Sequence, residues 1–248
     1  MERKGVYFAS DVHLGLDYRD PKDREARFVR FLRSIPAPQT EALYLLGDIW
    51  DFWYEYRDVV PKGYVRVFAA LMDLMDAGVK VVFFTGNHDI WAYHYFESLG
   101  IRVVREPMLV EHSGVKFCLA HGDGLGPGLR GYKFMNSLFK NRAVQWLFSL
   151  LHPWIAFRLG NGWSKDSRLT RGGEYVFKGP SEPLYKWAQE YASTHSVDCF
   201  IFGHLHTSVD TQLPTGERFI VMKDWISSSP YWYFDGTSVR TGMTMNME

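Results

Sequence analysis

The sequence predicts a layered α/β fold in which two mixed sheets pack together with helices outside. Three observations carry that reading. Short apolar runs end again and again in Asp, Asn, His or Gly, helical stripes separate the early runs, and from residue 101 the runs crowd together with hairpin turns between them. Runs without polar alternation suit strands covered on both faces.

The first run is "GVYFAS", followed by Asp11, and the second and third are "ALYLLG" before Asp48 and "VKVVFFTG" before Asn87. Between the first two, "DREARFVRFLRSI" places Phe28, Phe31, Leu32 and Ile35 on one stripe, which predicts a helix over 23–35. Before the third, "YVRVFAALMDLMDAG" predicts a helix over 64–78 that ends on a glycine suited to a C-terminal cap. From 101 come "IRVV", "PMLVEHSG", "VKFCLAHGD", "CFIFGHLH", "TSVDTQLPTGERFIVM" and "YWYFDGTSVRT", where Pro-Thr-Gly and Asp-Gly signal hairpins.

Residues 124–180 stand apart. Glycine-rich ends enclose helical patterns at roughly 132–140 and 143–159, so the expected organisation is one domain over 1–248 with a helical insertion at 124–180. The whole chain is neutral, with 28 basic and 28 acidic residues, but this insertion holds nine basic residues against two acidic ones. It also carries ten aromatics, which suits a lid offering an apolar cavity and cations. No global field draws in nucleic acid, and none is expected as a partner.

Cys118 and Cys199 both lie in apolar runs and read as buried hydrophobes of a reducing compartment. The apolar stretch near the start is too short for a signal-peptide core, and "AVQWLFSLLHPWIAF" falls short of a bilayer span. A cytoplasmic location is expected.

The polar residues that end the strands form the functional signal: Asp11 and His13 in "SDVHLG", Asp48 in "LGDIWD", Asn87 and His88 in "TGNHD", His121 in "AHGDG", and His204 and His206 in "FGHLH". One strand-ending Asp is an ordinary turn or cap residue, and one His-x-His merely puts two rings on one face. Five such clusters in one chain point to convergence on one edge of the sheets. Carboxylate, imidazole and amide oxygen suit divalent ions of intermediate hardness, manganese first, with iron, zinc and magnesium also accommodated. Seven ligands with one shared carboxylate suit two ions about 3.5–4 Å apart, an arrangement for activating water and clamping a displacement at phosphorus.

The ordered set "DVH", "GD", "GNHD", "HGD" and "GHLH" resembles the calcineurin-like metallophosphoesterases, which implies a four-layer αββα sandwich. The resemblance implies that Asp11, His13, Asp48 and His206 hold one metal and that Asp48, Asn87, His121 and His204 hold the other, with Asp48 as the bridge. His88 would remain unmetallated and meet developing charge on the phosphate. Asp51, in "GDIWD", is the carboxylate that orients it in the family's usual arrangement, with Asp89 as the local competitor or a helix cap.

Further stretches, among them "LGDIWDFW", "HGDGLGPG", "GYKFMNSLF", "WLFSLLHP", "WSKDSR" and "DWI", resemble the UDP-2,3-diacylglucosamine hydrolases of lipid A synthesis, in their Bacteroidetes-like form. That branch implies cleavage of a nucleotide-activated acylated sugar, UDP-2,3-diacylglucosamine, to UMP and 2,3-diacylglucosamine 1-phosphate. It also implies a helical lid that receives acyl chains, and lid residues Tyr132, Ser164 and Lys165 near the sugar and phosphate. His88 stands where better-studied members of the branch carry Arg. An acyl-anchored substrate implies peripheral contact with inner-membrane lipid on its cytoplasmic face through the basic, aromatic lid. The alternative is a phosphodiesterase acting on nucleotides or other small phosphoesters. A non-catalytic scaffold can dispense with ligands, and here every ligand position is filled.

Overall fold

The computed structural model describes residues 3–160, 162 and 175–244. Its first sheet runs β11-β10-β1-β2-β3-β4 and its second β5-β6-β7-β9-β8. In the first, β1 (Gly5–Ala9), β2 (Thr40–Leu46), β3 (Lys80–Phe84) and β4 (Arg102–Val104) are parallel, and the hairpin of β10 (Pro230–Phe234) and β11 (Val239–Met243) adds antiparallel strands at one edge. In the second, β6 (Val115–Ala120), β7 (Cys199–Phe202) and β9 (Arg218–Val221) are parallel, flanked by antiparallel β5 (Met108–His112) and β8 (Val209–Gln212).

Alternation along each strand divides the interior into three cores. Val6, Phe8, Ala42, Tyr44, Leu46, Phe117, Leu119 and Ile201 fill the space between the sheets. Their neighbours Ala9, Leu43, Leu45 and Phe83 turn outward onto α1 (Pro21–Ser34) and α2 (Val65–Asp76). On the far side, Cys118, Ala120, Phe200 and Phe202 meet Leu184, Tyr185 and Ala188 of α7 (Pro183–Ala192). Three cores need four layers, so the arrangement is αββα.

Both helices expected between the early strands form. Asp20 caps α1 by accepting from the backbone N–H of Asp23 at 3.0 Å, Pro21 opens the helix, and Phe28, Phe31, Leu32 and Ile35 are all buried. Beyond α2, Gly78 takes φ +87°, the left-handed cap that its glycine allows. Both cysteines are free and buried, and burial pushes each thiol up to about 12, so they serve as packing.

The helical pattern expected over 143–159 is two helices. After α4 (Arg130–Lys140), α5 (Arg142–Ser149) ends before Pro153, which opens a further helix, α6, over 153–160. Proline lacks the N–H that a continuous helix needs there and disfavours helical backbone at His152. A short helix, α3 (Tyr95–Ser98), and the amphipathic α7 were not among the sequence expectations.

Helices α4 to α6 sit on an aromatic platform beside the ends of β2 and β3. Phe148 packs 4.9 Å from both Tyr54 and Trp91, Phe157 packs 5.8 Å from Phe52, and Phe139 packs 5.5 Å from Trp91, all as ring-centroid distances. Tyr54 Oη donates to the Gln145 carbonyl at 2.8 Å, and Trp91 Nε1 donates to that of Phe139 at 2.9 Å. The opposite face is open: Phe134, Trp146, Leu150 and Trp154 are each more than half exposed.

Candidate metal centre

Strands β1, β2, β3, β6 and β7 end at one edge, and the polar residue after each turns into it. The loops that leave β1 and β2 are laced together by backbone bonds, Asp11 N–H to the Gly47 carbonyl at 3.0 Å and His13 N–H to the Asp48 carbonyl at 3.0 Å. Across the sheets, the His204 N–H donates to the Asp11 carboxylate at 3.0 Å, and the His88 N–H donates to Asp48 Oδ1 at 2.9 Å. With the Gly203 N–H donating to the His121 carbonyl at 2.9 Å, these contacts tie the five clusters into one unit.

Among the described residues, eight non-glycine residues have positive φ, and five of them are Asp11, His13, Asp48, His204 and His206. L-residues avoid this left-handed region, so such a concentration marks backbone bent to aim side chains. Two glycines make room for them. A Cβ on Gly86 would lie 2.2 Å from Asp48 Oδ1, and one on Gly203 would lie 2.3 Å from Asp11 Oδ2.

The side chains converge as two groups. His206 Nε2 lies 3.2 Å from Asp11 Oδ1 and 3.3 Å from His13 Nε2, and one ligand atom each from Asp11, His13, Asp48 and His206 fall within 4.8 Å of one another. On the other side, His121 Nε2 lies 3.4 Å from Asp48 Oδ2, and His204 Nδ1 lies 3.1 Å from Asn87 Oδ1. Asp48 therefore adjoins both groups.

The second nitrogens of the rings settle which atoms face inward. His121 Nδ1 donates to the Leu46 carbonyl at 2.8 Å, which leaves Nε2 buried, turned toward Asp48 and without a hydrogen bond. His13 Nδ1 lies 3.2 Å from Asp51 Oδ1. A metal-ligating histidine needs its outward nitrogen held in this way, and an orphaned buried imidazole nitrogen beside carboxylates is what a divalent ion satisfies. The residues present fit the pair of ions.

Electrostatics agree with that fit. Burial alone would raise Asp11 and Asp48, but the facing imidazoles, His13 and His206 for one and His121 and His88 for the other, hold both well below the usual carboxylate range. Burial would lower His121, yet Asp48 and Asp11 draw it well above its ordinary value of 6.5. Burial and the neighbouring His121 push His204 down to about 4.

His88 is one-fifth exposed, with Nε2 3.9 Å from Asp48 Oδ2. Its Nδ1 meets the backbone carbonyl of Asp51 at 2.8 Å, whereas the carboxylate of Asp51 is 3.9 Å away and lies closer to His13. Asp89 takes a different part. Its Oδ1 accepts from the backbone of Gly86 at 2.7 Å and Asp48 at 3.3 Å, and its Oδ2 accepts from Ile49 at 2.9 Å and Trp50 at 3.4 Å. It pins the loop after β3 to the loop after β2, and it caps no helix.

Tyr132, on α4, reaches the edge of this site. Its ring is 6.0 Å from that of His204, and its hydroxyl donates to Asp123 at 3.1 Å. Ser164 and Lys165 lie outside the described residues. Sequence reasoning missed Asp224, whose Oδ2 is 3.5 Å from His206 Nδ1, and Ser10, which donates to Asp11 Oδ2 at 2.6 Å. Only the adjacency of Ser10 to Asp11 and the short "DWI" stretch gave any signal.

A buried cluster of carboxylates and imidazoles on the strand ends of an αββα sandwich defines a metal-dependent phosphoester hydrolase. The sequence pattern of the calcineurin-like phosphoesterases matches residues 5–208, and the chain belongs to that family. Within it, the chain is 36% identical to a UDP-2,3-diacylglucosamine hydrolase of Porphyromonas gingivalis, with 99% of this chain and 100% of that protein covered. It is 31% identical to the enzyme of the same name from Stenotrophomonas maltophilia over 88% of this chain and 90% of the relative. A solved archaeal phosphodiesterase shares the fold at TM-score 0.50 and 11% identity, covering 96% of this chain and 99% of its own.

Proposed function

We infer that the protein hydrolyses the pyrophosphate of UDP-2,3-diacylglucosamine, releasing UMP and 2,3-diacylglucosamine 1-phosphate. The observation that carries this is the 36% identity to the Porphyromonas gingivalis hydrolase along effectively the whole of both chains, helices α4 to α6 included. In this reading Asp11, His13, Asp48 and His206 hold one divalent ion and Asp48, Asn87, His121 and His204 the other, with manganese as the working ion. When bound, the two ions supply Lewis-acid activation of water and of the phosphoryl oxygens.

The chain's own groups do the rest. His88, its Nδ1–H held by the Asp51 carbonyl, turns Nε2 toward the reacting phosphate, where a protonated ring donates to the oxygen that leaves with the acylated sugar. Asp51 serves His13 through its carboxylate and His88 through its carbonyl. Tyr132 borders the sugar and phosphate, and Ser164 and Lys165 are proposed to join it there. The 124–180 segment acts as the lid. Its inner aromatics rest on the platform, while Phe134, Trp146, Leu150 and Trp154, with Arg158 beside Trp154, face the bilayer from which the acylated substrate is drawn. No helix among the described residues is long and apolar enough to cross a membrane, and the proposed contact is a peripheral one on the cytoplasmic face.

The test is hydrolysis in manganese of UDP-2,3-diacylglucosamine beside bis-p-nitrophenyl phosphate and a cyclic nucleotide, with His88→Ala alongside. Rapid release of UMP and lipid by the native protein only is the expected result. Turnover of the small esters alone would overturn the substrate and leave a general phosphodiesterase.

A further inference from the structure

Each imidazole turned into the first group has an oxygen behind it. For His13 this is the Asp51 carboxylate, and for His206 it is Asp224, with Oδ2 3.5 Å from Nδ1 while Nε2 points at Asp11 and His13. Asp224 lies on the loop between β9 and β10, and that loop is fastened from three sides. The Trp225 N–H donates to the Asp11 carbonyl at 3.0 Å. The Trp225 ring packs on Phe28 and Phe31 of α1 at centroid distances of 5.3 and 5.5 Å. Arg27, also on α1, donates to the carbonyls of Ser228 at 2.8 Å and Trp225 at 3.2 Å and to the Ser229 hydroxyl, and Asp23 holds its Nε at 2.7 Å.

Asp224 itself is nearly buried, and its other oxygen accepts the Ile226 N–H at 2.8 Å, which leaves Oδ2 for the ring. A carboxylate behind an imidazole keeps the proton on the near nitrogen, leaves the far nitrogen its lone pair, and raises the basicity of that lone pair.

We propose that Asp224 is a positioning residue for the first metal ion, acting through His206, with Arg27 keeping its loop in place. This rests on the reading that His206 is a ligand. Asp224 touches neither ion nor substrate. Its effect is on how firmly the ion is held, so saturating metal compensates for its loss.

The experiment uses the full chain stripped of metal, with Mn2+ binding followed by equilibrium dialysis and by the EPR signal of free Mn2+. The variants are Asp224→Ala, Asp224→Asn, His206→Ala and the double variant Asp224→Ala/His206→Ala. Asp224→Ala is expected to weaken one of the two ions by about 10- to 100-fold, with Asp224→Asn losing less because its amide oxygen still accepts. The half-saturating Mn2+ concentration for activity rises while kcat at saturating Mn2+ is retained. In the His206→Ala background, Asp224→Ala causes no further loss.

Unchanged Mn2+ affinity in both Asp224 variants would overturn the proposal, as would an equal loss with His206 already removed, or a kcat that metal fails to restore. If Asp224→Ala does not fold, Asp224→Asn carries the same readouts. Absence of Mn2+ binding by the native chain would overturn the metal reading itself, a separate outcome.

Discussion

Nε2 of His13 and Nε2 of His206 face each other across 3.3 Å, although 193 positions separate them in the chain. Two lone pairs at that distance repel unless a proton or a cation lies between them. Divalent metal therefore stabilises the native state, by about 2.7 kcal/mol at a free concentration 100 times its dissociation constant. Calorimetric scans with EDTA and then with excess Mn2+ are expected to show a rise in Tm that His206→Ala largely abolishes. Equal midpoints for the native protein in both conditions would contradict this.

His121 sets the response to pH. Asp48 raises its folded value well above 6.5, so in the metal-free protein its contribution to stability is complete below about pH 6.5 and fades as pH climbs through the raised value. A bound ion needs the neutral ring, which gives metal affinity the opposite slope. Mn2+ uptake at pH 7 is expected to release about one proton from this residue, and affinity to strengthen from pH 6 to pH 8. Calorimetry in buffers of different ionisation enthalpy measures the release.

Asp89 accepts backbone N–H groups on both oxygens, so it has no oxygen to spare for a donor. Asp89→Asn turns an amide N–H toward another N–H and is expected to destabilise the fold by about 1–3 kcal/mol, read from urea unfolding. Burial and the charge on Asp48 push the Asp89 carboxyl up to about 7. Because that value lies above the ordinary one, acidification through about pH 7 relieves the cost of the buried charge, and this group's contribution to stability rises as pH falls.

Gly86→Ala places a methyl group against Asp48 Oδ1. The expected result is loss of metal binding and activity in a protein that keeps its αββα circular dichroism spectrum. Mn2+ affinity within twofold of native would show that the loop yields.

The outward face of α5 and α6 predicts lipid binding. Trp146→Ser with Trp154→Ser is expected to reduce co-sedimentation with anionic vesicles by about tenfold or more, since each exposed Trp contributes on the order of 1.5–3 kcal/mol when buried. Turnover of a water-soluble ester should be unaffected.

Much of this was visible in the amino-acid order because strand ends obey simple rules. Unbroken apolar runs, each ended by a polar residue, placed Asp11, Asn87 and His204 at one edge before any coordinates, and the hairpins at Pro214–Gly216 and Asp235–Gly236 had recognisable turn residues. What escaped was whatever depends on distance across the fold. Asp224 reads as an ordinary acid after β9 until a loop anchored by Arg27 carries it to His206. The oxygen nearest His88 Nδ1 is the backbone carbonyl of Asp51, which no side-chain pattern encodes. The break at Pro153 was legible but was masked by a continuous apolar stripe on both sides of it.

The left-handed backbone at Asp11, His13, Asp48, His204 and His206 has a cost that evolution must keep defending. Each such residue forgoes roughly 1–2 kcal/mol that glycine would recover at the same φ, and heat alone would favour that exchange. A library screened only for resistance to unfolding should therefore drift toward glycine at these positions and yield sturdier, inert proteins. The working edge of the sandwich is the part that thermal selection would erase first.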